Sequence, residues 1–328
     1  MTDDPNDKAG MINNQTMSKR VRRFCVVLAV LVIVLSSTLA SVKGGQPTQL
    51  SGYKAVRVHY SPLNKMIMSV RINGQPANLL VDTGSNHIML DADAATSFGV
   101  KPSQRGPQYI QFSKINGQEL PLGFAQSLTA GNMSFGSILV TLRNSSQSDA
   151  GKTHVDGVLG LDLLTRHKAV INCRTKLIFF KMDQTRQVDL SSVTSAEKFT
   201  KIPLRREQNG ALTVPCSIYG QPARLLVDTG AFITIFHEAS LRAVGIPVEA
   251  TRVAAHFTRG TARKISAGQI DDLKIGDFKT PPAKFGVTAL PNFTLQQGSA
   301  KITGILGMDK LYDCHGIIDL DSMNLFLK

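Results

Sequence analysis

Hydrophobic and polar positions follow one pattern twice along this chain. In each copy an alternating segment leads through Gly-Gln-Pro into three consecutive apolar residues, at positions 79–81 and again at 225–227. Alternation predicts a strand with one buried face, and a short apolar run predicts a strand buried on both faces. We therefore predict, in each copy, two strands that are joined by a tight turn at Gly-Gln-Pro.

Each copy continues with a short helix and ends with a hairpin. Residues 91–99 (DADAATSFG) and 237–245 (HEASLRAVG) each predict one small helix that ends at Gly. KAVIN followed by KLIFFK, and HGIID followed by NLFLK, predict a closing hairpin in each copy. The polar residues 184–200 predict a linker. We expect an all-β fold with a first unit at 53–183 and a second at 201–328.

The repeat keeps its register over most of each unit. Asp-Thr-Gly begins at Asp82 and again at Asp228, 146 positions later. DGVLGLDLL, at 156–164, recurs as TGILGMDKL, at 303–311. Such a repeat indicates one structural unit built twice. Because each copy places an acid on a glycine turn after a buried strand, we expect the two carboxyl groups to face each other across an approximate two-fold axis.

Asp82 and Asp228 are the candidate catalytic residues. Two carboxyl groups held side by side do not both ionise easily, so they share a proton and titrate as a pair. The protonated member can donate to a carbonyl oxygen, and the ionised member can accept a proton from water. This pair predicts hydrolysis of an amide by general acid/base catalysis.

The motifs resemble those of retropepsin-like aspartic proteases, in particular the bacterial aspartyl-protease type. LLVDTGSN and LLVDTGAF carry the resemblance, each with an apolar-Leu-Gly element downstream. It covers about residues 60–183 and 205–328. The resemblance implies two tandem acid-protease β-barrel units in a pseudo-two-fold, bilobal protein, fused in one chain as in pepsins. It also implies a peptide or protein substrate, and neither a cofactor nor a metal.

The resemblance assigns supporting roles around the two acids. Thr83 and Thr229 would make reciprocal contacts between the loops, and the remaining loop residues are Gly84, Ser85, Gly230 and Ala231. A β-hairpin flap in each unit would close over the substrate. The matching spans are 109–122 and 256–268, with candidate turns at 116–117 and 259–260. Tyr109 is the candidate for the flap tyrosine of pepsins.

Two other sets of polar residues have structural interpretations. His87 follows Ser85 by two positions, which suggests a Ser-His nucleophile. Its counterpart is Ile233, however, and no G-x-S-x-G motif is present, so we interpret His87 as a strand side chain. Asp162 and Asp309 recur just after the Leu-Gly elements, and we predict that they cap the short helices that follow.

The N-terminal region predicts a membrane or export segment. A tail at 1–23, with a basic cluster at its end, precedes the uncharged segment 24–40, and a linker follows at 41–52. This length is within the range of a membrane span, while the basic flank also suits a secretory signal. We favour an uncleaved anchor, with secretion after signal cleavage as the alternative. The cationic flank places the N-terminus in the cytoplasm and the catalytic part outside the cytoplasmic membrane, on the periplasmic side in a Gram-negative cell.

The amino-acid composition argues against some classes of binding partner. The net charge is +13, there is no Trp, and aromatic residues make up 6 %. Few aromatic side chains are therefore present that could stack on nucleic-acid bases. No nucleic-acid-binding motif accompanies the positive charge, so we expect that the protein does not bind nucleic acid. A basic surface would suit anionic lipid, cell-wall polymer or acidic peptide, but we interpret the excess positive charge as a solvated basic face. Outside the apolar segment lie Cys173, Cys216 and Cys314, which cannot all pair within one chain.

The leading hypothesis is an exported aspartic endopeptidase that acts as a monomer. Two alternatives remain. One is a non-catalytic peptide-binding protein that retains the protease fold, and the other is a protease active only as a dimer of chains. Intact Asp, Thr and Gly residues in both motifs favour catalysis, and near-equal unit lengths favour pairing within the chain.

Overall fold

The computed structural model describes residues 50–62, 64–103, 112–115, 118–144, 154–185, 188–256, 262–290, 296–297 and 300–328. Residues 53–183 are called the first repeat below, and residues 201–328 the second repeat. The first repeat contains β1 (Tyr53–Arg57), β2 (His59–Tyr60), β3 (Met66–Ile72), β4 (Gln75–Val81), β5 (Met89–Asp91), α1 (Ala92–Ser97), β6 (Phe112–Ile115), β7 (Gln118–Ala130), β8 (Met133–Arg143), β9 (Gly157–Leu159), α2 (Leu161–Arg166), β10 (Val170–Asn172) and β11 (Leu177–Lys181).

The second repeat follows a short helix, α3 (Ser191–Ala196), which lies inside the predicted linker. The strand β12 begins one residue before the repeat as defined here. The elements that follow α3 are β12 (Thr200–Pro203), β13 (Arg205–Arg206), β14 (Leu212–Ile218), β15 (Gln221–Val227), β16 (Ile235–His237), α4 (Glu238–Ala243), β17 (Glu249–His256), β18 (Ala262–Ile270), β19 (Leu273–Ile275), β20 (Phe278–Lys279), β21 (Ala283–Thr288), β22 (Gln296–Gln297), β23 (Ala300–Leu306), α5 (Met308–Asp313), β24 (Ile317–Asp319) and β25 (Asn324–Leu327).

Strands dominate and the described helices are six residues long, so the all-β prediction is confirmed. The predicted helices appear as α1 and α4, and each is followed by a glycine with positive φ, Gly99 at 69° and Gly245 at 76°. The closing hairpins appear as β10–β11 and β24–β25. The repeat pattern therefore predicted these elements well.

The turn between the first two long strands of each repeat differs from the prediction. It consists of Asn73-Gly74 in the first repeat and Tyr219-Gly220 in the second, with φ of 50°, 83°, 48° and 76°. Two consecutive residues with positive φ form the hairpin turn whose twist matches that of the strands. The predicted hairpins are confirmed, but each turn lies one residue before the predicted position, because the Gln and Pro of each motif already belong to β4 and β15.

The strand before each Asp-Thr-Gly motif lies inside a sheet. β4 pairs in parallel with β9, and β15 pairs in parallel with β23, so each Leu-Gly element runs beside its own Asp-Thr-Gly strand. In β15 the last three residues are all buried, as predicted. In β4 the middle one, Leu80, is only half-buried.

Each repeat contributes one large sheet. In the first repeat, the strand order is β2-β3-β4-β9-β5-β8-β7-β6, with an additional pairing of β3 and β7. In the second, it is β17-β18-β21-β16-β23-β15-β14-β19-β20, where β13 also pairs with β14 and β22 with β23. The order β4-β9-β5 and its counterpart β15-β23-β16 surround the two motifs in the same way.

A third sheet joins the repeats. Its order is β1-β11-β10-β24-β25-β12, so three strands come from one repeat and their three counterparts from the other. At its centre Ile171 pairs with Ile318, its equivalent 147 residues later. A strand that pairs antiparallel with its own copy lies on the two-fold axis that relates the repeats.

Buried charges reinforce this sheet at one end. The Lys181 side chain is 1 % exposed, and its ammonium contacts the carboxylate of Asp321 in the other repeat. Lys168 Nζ lies 3.0 Å from Asp321 Oδ1, and Tyr53 donates a hydrogen bond of 3.3 Å to Oδ2. Since an unpaired buried charge is costly, loss of Asp321 would strongly destabilise this junction.

Two further predictions concern the apolar N-terminal segment and the cysteines. The segment 24–40 lies outside the described residues. Among the helices that are described, none has the length and apolar character needed to cross a bilayer. Cys173, Cys216 and Cys314 are all buried free thiols.

Candidate active site

The two Asp-Thr-Gly motifs begin where β4 and β15 end. The amide of Asp82 donates to the carbonyl of Leu159 at 3.1 Å, and the amide of Asp228 donates to that of Leu306 at 3.1 Å. Each acid is thus fixed to the Leu-Gly strand beside it. Both acidic residues are half-buried.

The threonines bind each other's loop crosswise. The Thr83 hydroxyl donates to the carbonyl of Val227 at 2.8 Å and accepts from the amide of Thr229 at 3.0 Å. The Thr229 hydroxyl donates to the carbonyl of Val81 at 2.8 Å and accepts from the amide of Thr83 at 3.0 Å. Both threonines are 0 % exposed. The distances match across the pairs, so the two loops form one symmetric, buried unit.

The glycines allow the acids to approach. A Cβ atom on Gly84 would lie 2.5 Å from Cγ of Asp228, and one on Gly230 would lie 2.5 Å from Cγ of Asp82. Each glycine therefore lies against the acid of the other repeat. Within its own loop, the Gly84 amide donates to Asp82 Oδ1 at 2.7 Å, and the Gly230 amide donates to Asp228 Oδ1 at 2.8 Å.

The two carboxyl groups lie close together, and the shifts of their pKa values differ in size. Burial raises the pKa of Asp228, and the charge of Asp82 and the hydrogen bond to it raise that pKa further. Burial also raises the pKa of Asp82, but hydrogen bonds from Asp228 and Gly84 and the charge of Arg143 oppose the rise. Both pKa values are therefore raised and the pair retains a shared proton, and the larger shift favours Asp228 as the protonated member.

The fourth motif residues differ between the loops. Ala231 donates its amide to Asp228 Oδ1 at 3.0 Å, a second backbone donor for that acid. Ser85 has its hydroxyl bonded to the backbone carbonyl of His87 at 3.1 Å, so this bond does not involve the imidazole. His87 itself is exposed and lies in a bend before β5, not in a strand as predicted. This geometry gives no Ser-His nucleophile.

Asp162 and Asp309 are not the N-cap residues, although Asp162 does accept a hydrogen bond of 2.8 Å from the first-turn amide of Leu163, so the capping prediction is wrong in position. The N-cap residues of α2 and α5 are Gly160 and Gly307. A Cβ atom on Gly160 would lie 2.5 Å from the carbonyl oxygen of His87, which requires glycine at this position. The acids follow two residues later in the first turn of each helix, where they hold the segment downstream of the active-site loop.

The way in which these acids hold that segment differs between the repeats. Asp162 accepts one loop hydrogen bond, from the amide of Ile88 at 3.0 Å. Asp309 accepts from both the amide and the hydroxyl of Thr234, each at 2.7 Å. The Thr234 hydroxyl also accepts from the amide of Gly307 at 3.0 Å. The second loop is therefore held more extensively within its own repeat.

A contact that the sequence did not predict holds the first loop from the other repeat. Asn86 Nδ2 donates to the carbonyl of Asn209 at 2.6 Å. Gly210, the next residue after Asn209, packs against the Asn86 side chain, because a Cβ atom added to Gly210 would be 2.7 Å from Asn86 Oδ1. The position equivalent to Asn86 is Phe232, so the repeat gave no signal for this contact.

Apolar residues border the second loop. A separate cluster of buried residues includes Leu226, Ile235, Ile265, Leu290, Ile302 and Ile305. Ala231, Phe232 and Ile233, which follow Asp228, pack against it and remain partly exposed. The apolar cluster therefore lies beside the loop that carries Asp228.

Hairpins occupy the predicted flap regions. β6 pairs antiparallel with β7, and β17 with β18. The candidate turns at 116–117 and 259–260, and Tyr109, lie outside the described residues. The hairpin β17–β18 is anchored next to the second loop, because Ile265 in β18 belongs to the apolar cluster described above.

Comparison with known proteins identifies the family. The family model described as aspartyl protease matches residues 68–163 and again residues 214–310, together more than half of the chain. This chain belongs to the aspartyl protease family. The two matches are the two repeats, so the protein consists of two tandem units of this family, as the sequence pattern predicted.

Solved structures resemble the chain at low identity. Basic 7S globulin from soybean is 12 % identical, with a TM-score of 0.48, and the match covers 84 % of this chain and 94 % of that one. The aspartic proteinase from Irpex lacteus is 14 % identical, with a TM-score of 0.48 and coverage of 84 % and 96 %. Conglutin gamma from lupine seeds is 11 % identical, with a TM-score of 0.46 and coverage of 84 % and 95 %. No curated protein gives a significant match.

Proposed function

We propose that this protein is an aspartic endopeptidase whose catalytic residues are Asp82 and Asp228. The observation that carries the proposal is that each loop packs its glycine against the acid of the other loop, so that an added Cβ atom would lie 2.5 Å from the opposite carboxyl carbon in both cases. Ionised Asp82 accepts a proton from a water molecule while that water attacks the peptide carbonyl. Asp228 donates its proton to the carbonyl oxygen, and a tetrahedral diol forms. Asp82 then passes the proton from the water to the amide nitrogen, the C–N bond breaks, and Asp228 recovers a proton from a diol hydroxyl as the carboxylic acid and the amine are released. Aspartic proteases in general use two carboxyl groups that share one proton, so the assignment extends a known mechanism to these residues.

The supporting residues fix the geometry that this mechanism needs. Thr83 and Thr229 hold the two loops together, and Gly84 and Gly230 let the acids meet. Ser85 and Ala231 complete the loops. Since both loops come from one chain and bond to each other, we propose that a single chain supplies the whole site and acts as a monomer on a peptide or protein substrate.

Substitution of each acid tests the catalytic assignment. The full-length chain is incubated with a diverse peptide library between pH 3 and pH 8, and cleavage products are identified by mass spectrometry. We expect Asp82→Asn and Asp228→Asn each to lower kcat by several orders of magnitude, since each removes the base or the acid. Asp277→Asn, at an exposed position, is the matched control. A folded dyad variant with near wild-type turnover would refute the assignment.

The same experiment separates the alternatives. A chain that binds peptides without cleaving them at any pH would be a peptide-binding protein that retains the fold. Activity that rises in proportion to the square of chain concentration would indicate a dimer. The rate should fall as pH rises through the pKa of Asp228, because the competent state holds one proton.

We further propose that the catalytic part works outside the cytoplasmic membrane, with residues 24–40 as an anchor. The basic flank of that segment motivates this. A C-terminal fusion to a reporter that is active only outside the cytoplasm should be active and should fractionate with membranes. Recovery of the intact chain in the cytosol would contradict the proposal, and a mature N-terminus near residue 41 would indicate a cleaved signal.

A further inference from the structure

The turn between β13 and β14 is built around a buried carboxylate. The Glu207 side chain is 2 % exposed and accepts from Arg205 Nε at 3.0 Å and Nη2 at 2.7 Å. The Thr213 hydroxyl donates to Oε1 at 2.6 Å, and Arg224 Nε lies 3.4 Å from the same oxygen. Burial raises the pKa of Glu207, but the hydrogen bonds from Arg205 and Thr213 outweigh it, so the net direction is down. This carboxylate is fixed and remains ionised.

Backbone bonds close the turn above that carboxylate. The amide of Glu207 donates to the carbonyl of Ala211 at 2.8 Å, and the amide of Gly210 donates to that of Glu207 at 2.8 Å. Asn209 accepts the amide of Ala211 with its own side chain at 3.1 Å. Gly210 has a φ of 87°, in the left-handed region. The turn therefore has one rigid shape, and that shape presents the Asn209 carbonyl to Asn86.

The turn reaches both active-site loops. Asn86 of the first loop donates to the Asn209 carbonyl and rests on Gly210. On its other side, Ala211 packs against the apolar cluster that also holds Ala231 of the second loop. Arg206 adds a bond of 3.2 Å from Nη1 to the Thr165 hydroxyl on α2 of the first repeat.

The equivalent turn of the first repeat lacks this construction. It has the same backbone bonds, from the amide of Ser61 to the carbonyl of Lys65 and from the amide of Asn64 to that of Ser61. Ser61 stands where the second repeat has Glu207, and its buried hydroxyl has no hydrogen-bond partner among the described residues. The two turns thus share a pair of closing backbone hydrogen bonds, and the carboxylate anchor belongs to the turn that contacts the Asp82 loop.

We propose that the turn at 207–211 positions the Asp82 loop for hydrolysis through Asn86, which makes Glu207, Gly210 and Asn86 positioning residues. This inference rests on the proposed function. Asn86 is four residues after Asp82, and its backbone carbonyl accepts the amide of Asp162 at 3.1 Å. The residue is therefore held on one side by its own repeat and on the other by the opposite repeat. A shift of the turn moves the base relative to the acid on Asp228.

A double-mutant cycle tests the contact. We expect Asn86→Ala to lower kcat about 10- to 100-fold with KM within about twofold, because small misplacement of a catalytic group is costly. Gly210→Ala would place a Cβ atom 2.7 Å from Asn86 Oδ1 and displace the Asn86 side chain, so it should lower kcat by a similar factor. The double variant should lose little more than either single one, since both break one interaction. Glu207→Gln keeps the shape of the anchor and should lower kcat less.

Ser61→Ala is the matched control, and it should leave kcat and KM unchanged. Amide hydrogen exchange over residues 82–88 gives a readout that needs no activity. Exchange should accelerate in Asn86→Ala and Gly210→Ala and stay at the wild-type rate in Ser61→Ala. If the wild-type chain hydrolyses no peptide, the proposed function fails. The amide hydrogen exchange rates of the variants then still test whether the contact between Asn86 and the turn holds the Asp82 loop.

Three results would overturn the inference. Unchanged kcat and exchange in folded Asn86→Ala would show that the contact positions nothing. A raised KM with unchanged kcat would assign the turn to substrate binding. Additive effects in the double variant would show that Asn86 and Gly210 act separately.

Discussion

The two repeats agree closely at the axis and differ away from it. The crossed threonine bonds have the same lengths in both directions, and each glycine lies equally close to the opposite acid. A few residues further on, the first loop has one hydrogen bond to Asp162 of its own repeat and one from Asn86 to the other repeat, while the second has two bonds from Thr234 to Asp309 of its own repeat.

This difference follows from what symmetry constrains. A residue on the axis contacts its own equivalent, so both copies must satisfy the same geometry. A residue off the axis contacts different surroundings in each repeat, so its copies are free to diverge. Equivalent substitutions should therefore have equal effects at the axis and unequal effects beyond it.

Apart from the acids themselves, the largest effect is expected at the glycines. Gly84→Ala and Gly230→Ala would each place Cβ 2.5 Å from Cγ of the opposite acid and force the carboxyl groups apart. We expect each to lower kcat/KM by at least about 100-fold, to the same extent. Gly74→Ala, where an added Cβ atom meets nothing within 4 Å but φ is 83°, controls for the general cost of alanine. Retained activity in only one of the two variants would break the symmetry argument.

The threonines should give the next largest effect, on stability. Thr83→Val and Thr229→Val each remove a buried hydroxyl that makes two hydrogen bonds between the repeats. Each leaves a buried amide and a buried carbonyl without a partner, so we expect a loss of about 3 kcal/mol from the free energy of unfolding. Urea denaturation measures both variants. Losses that differ by more than about 1 kcal/mol would contradict an equal division of the interface.

The symmetric part is also the part that the sequence predicted. Spacings of 146 and 147 residues brought out the Asp-Thr-Gly loops and the Leu-Gly elements, because a feature that both repeats must keep appears twice. The helices that end before Gly99 and Gly245 were found for the same reason. The catalytic role of the two Asp-Thr-Gly loops remains a prediction.

The asymmetric part could not be predicted in this way. Asn86 and Asn209 are 123 residues apart, and the position equivalent to Asn86 is Phe232, which has no side-chain amide to make the same bond. The hairpin turns were misplaced because the second repeat has Tyr219 where the first has Asn73, and only Asn-Gly is a recognised signal for that turn. The role of Asp162 and Asp309 was missed because a helix cap and a tie to a neighbouring loop require the same residue type at nearly the same position.

Off the axis, equivalent substitutions should diverge. Thr234→Val removes a hydroxyl that donates to Asp309 and accepts from Gly307, and we expect a loss of about 2 kcal/mol. At the equivalent position, Ile88→Val removes one buried methylene group and should cost about 1 kcal/mol. Urea denaturation of both variants measures the difference. Equal losses would show that the second loop gains nothing from its additional bonds.

The smallest expected effect is on the pH dependence of the free energy of unfolding, which distinguishes Asp228 from Asp82. Burial and the neighbouring Asp82 raise the pKa of Asp228, so the folded protein holds a proton there that the unfolded chain releases above about pH 4. The folded state then binds more protons than the unfolded one, and its stability falls as pH rises through the folded pKa. Asp228→Asn should therefore flatten the decline of the free energy of unfolding between pH 4 and pH 7 and raise Tm slightly at pH 7. Asp277→Asn, which changes an exposed carboxylate, should keep the wild-type slope. A decline as steep in Asp228→Asn as in the wild type would place the shared proton elsewhere and remove the asymmetry assigned to the dyad.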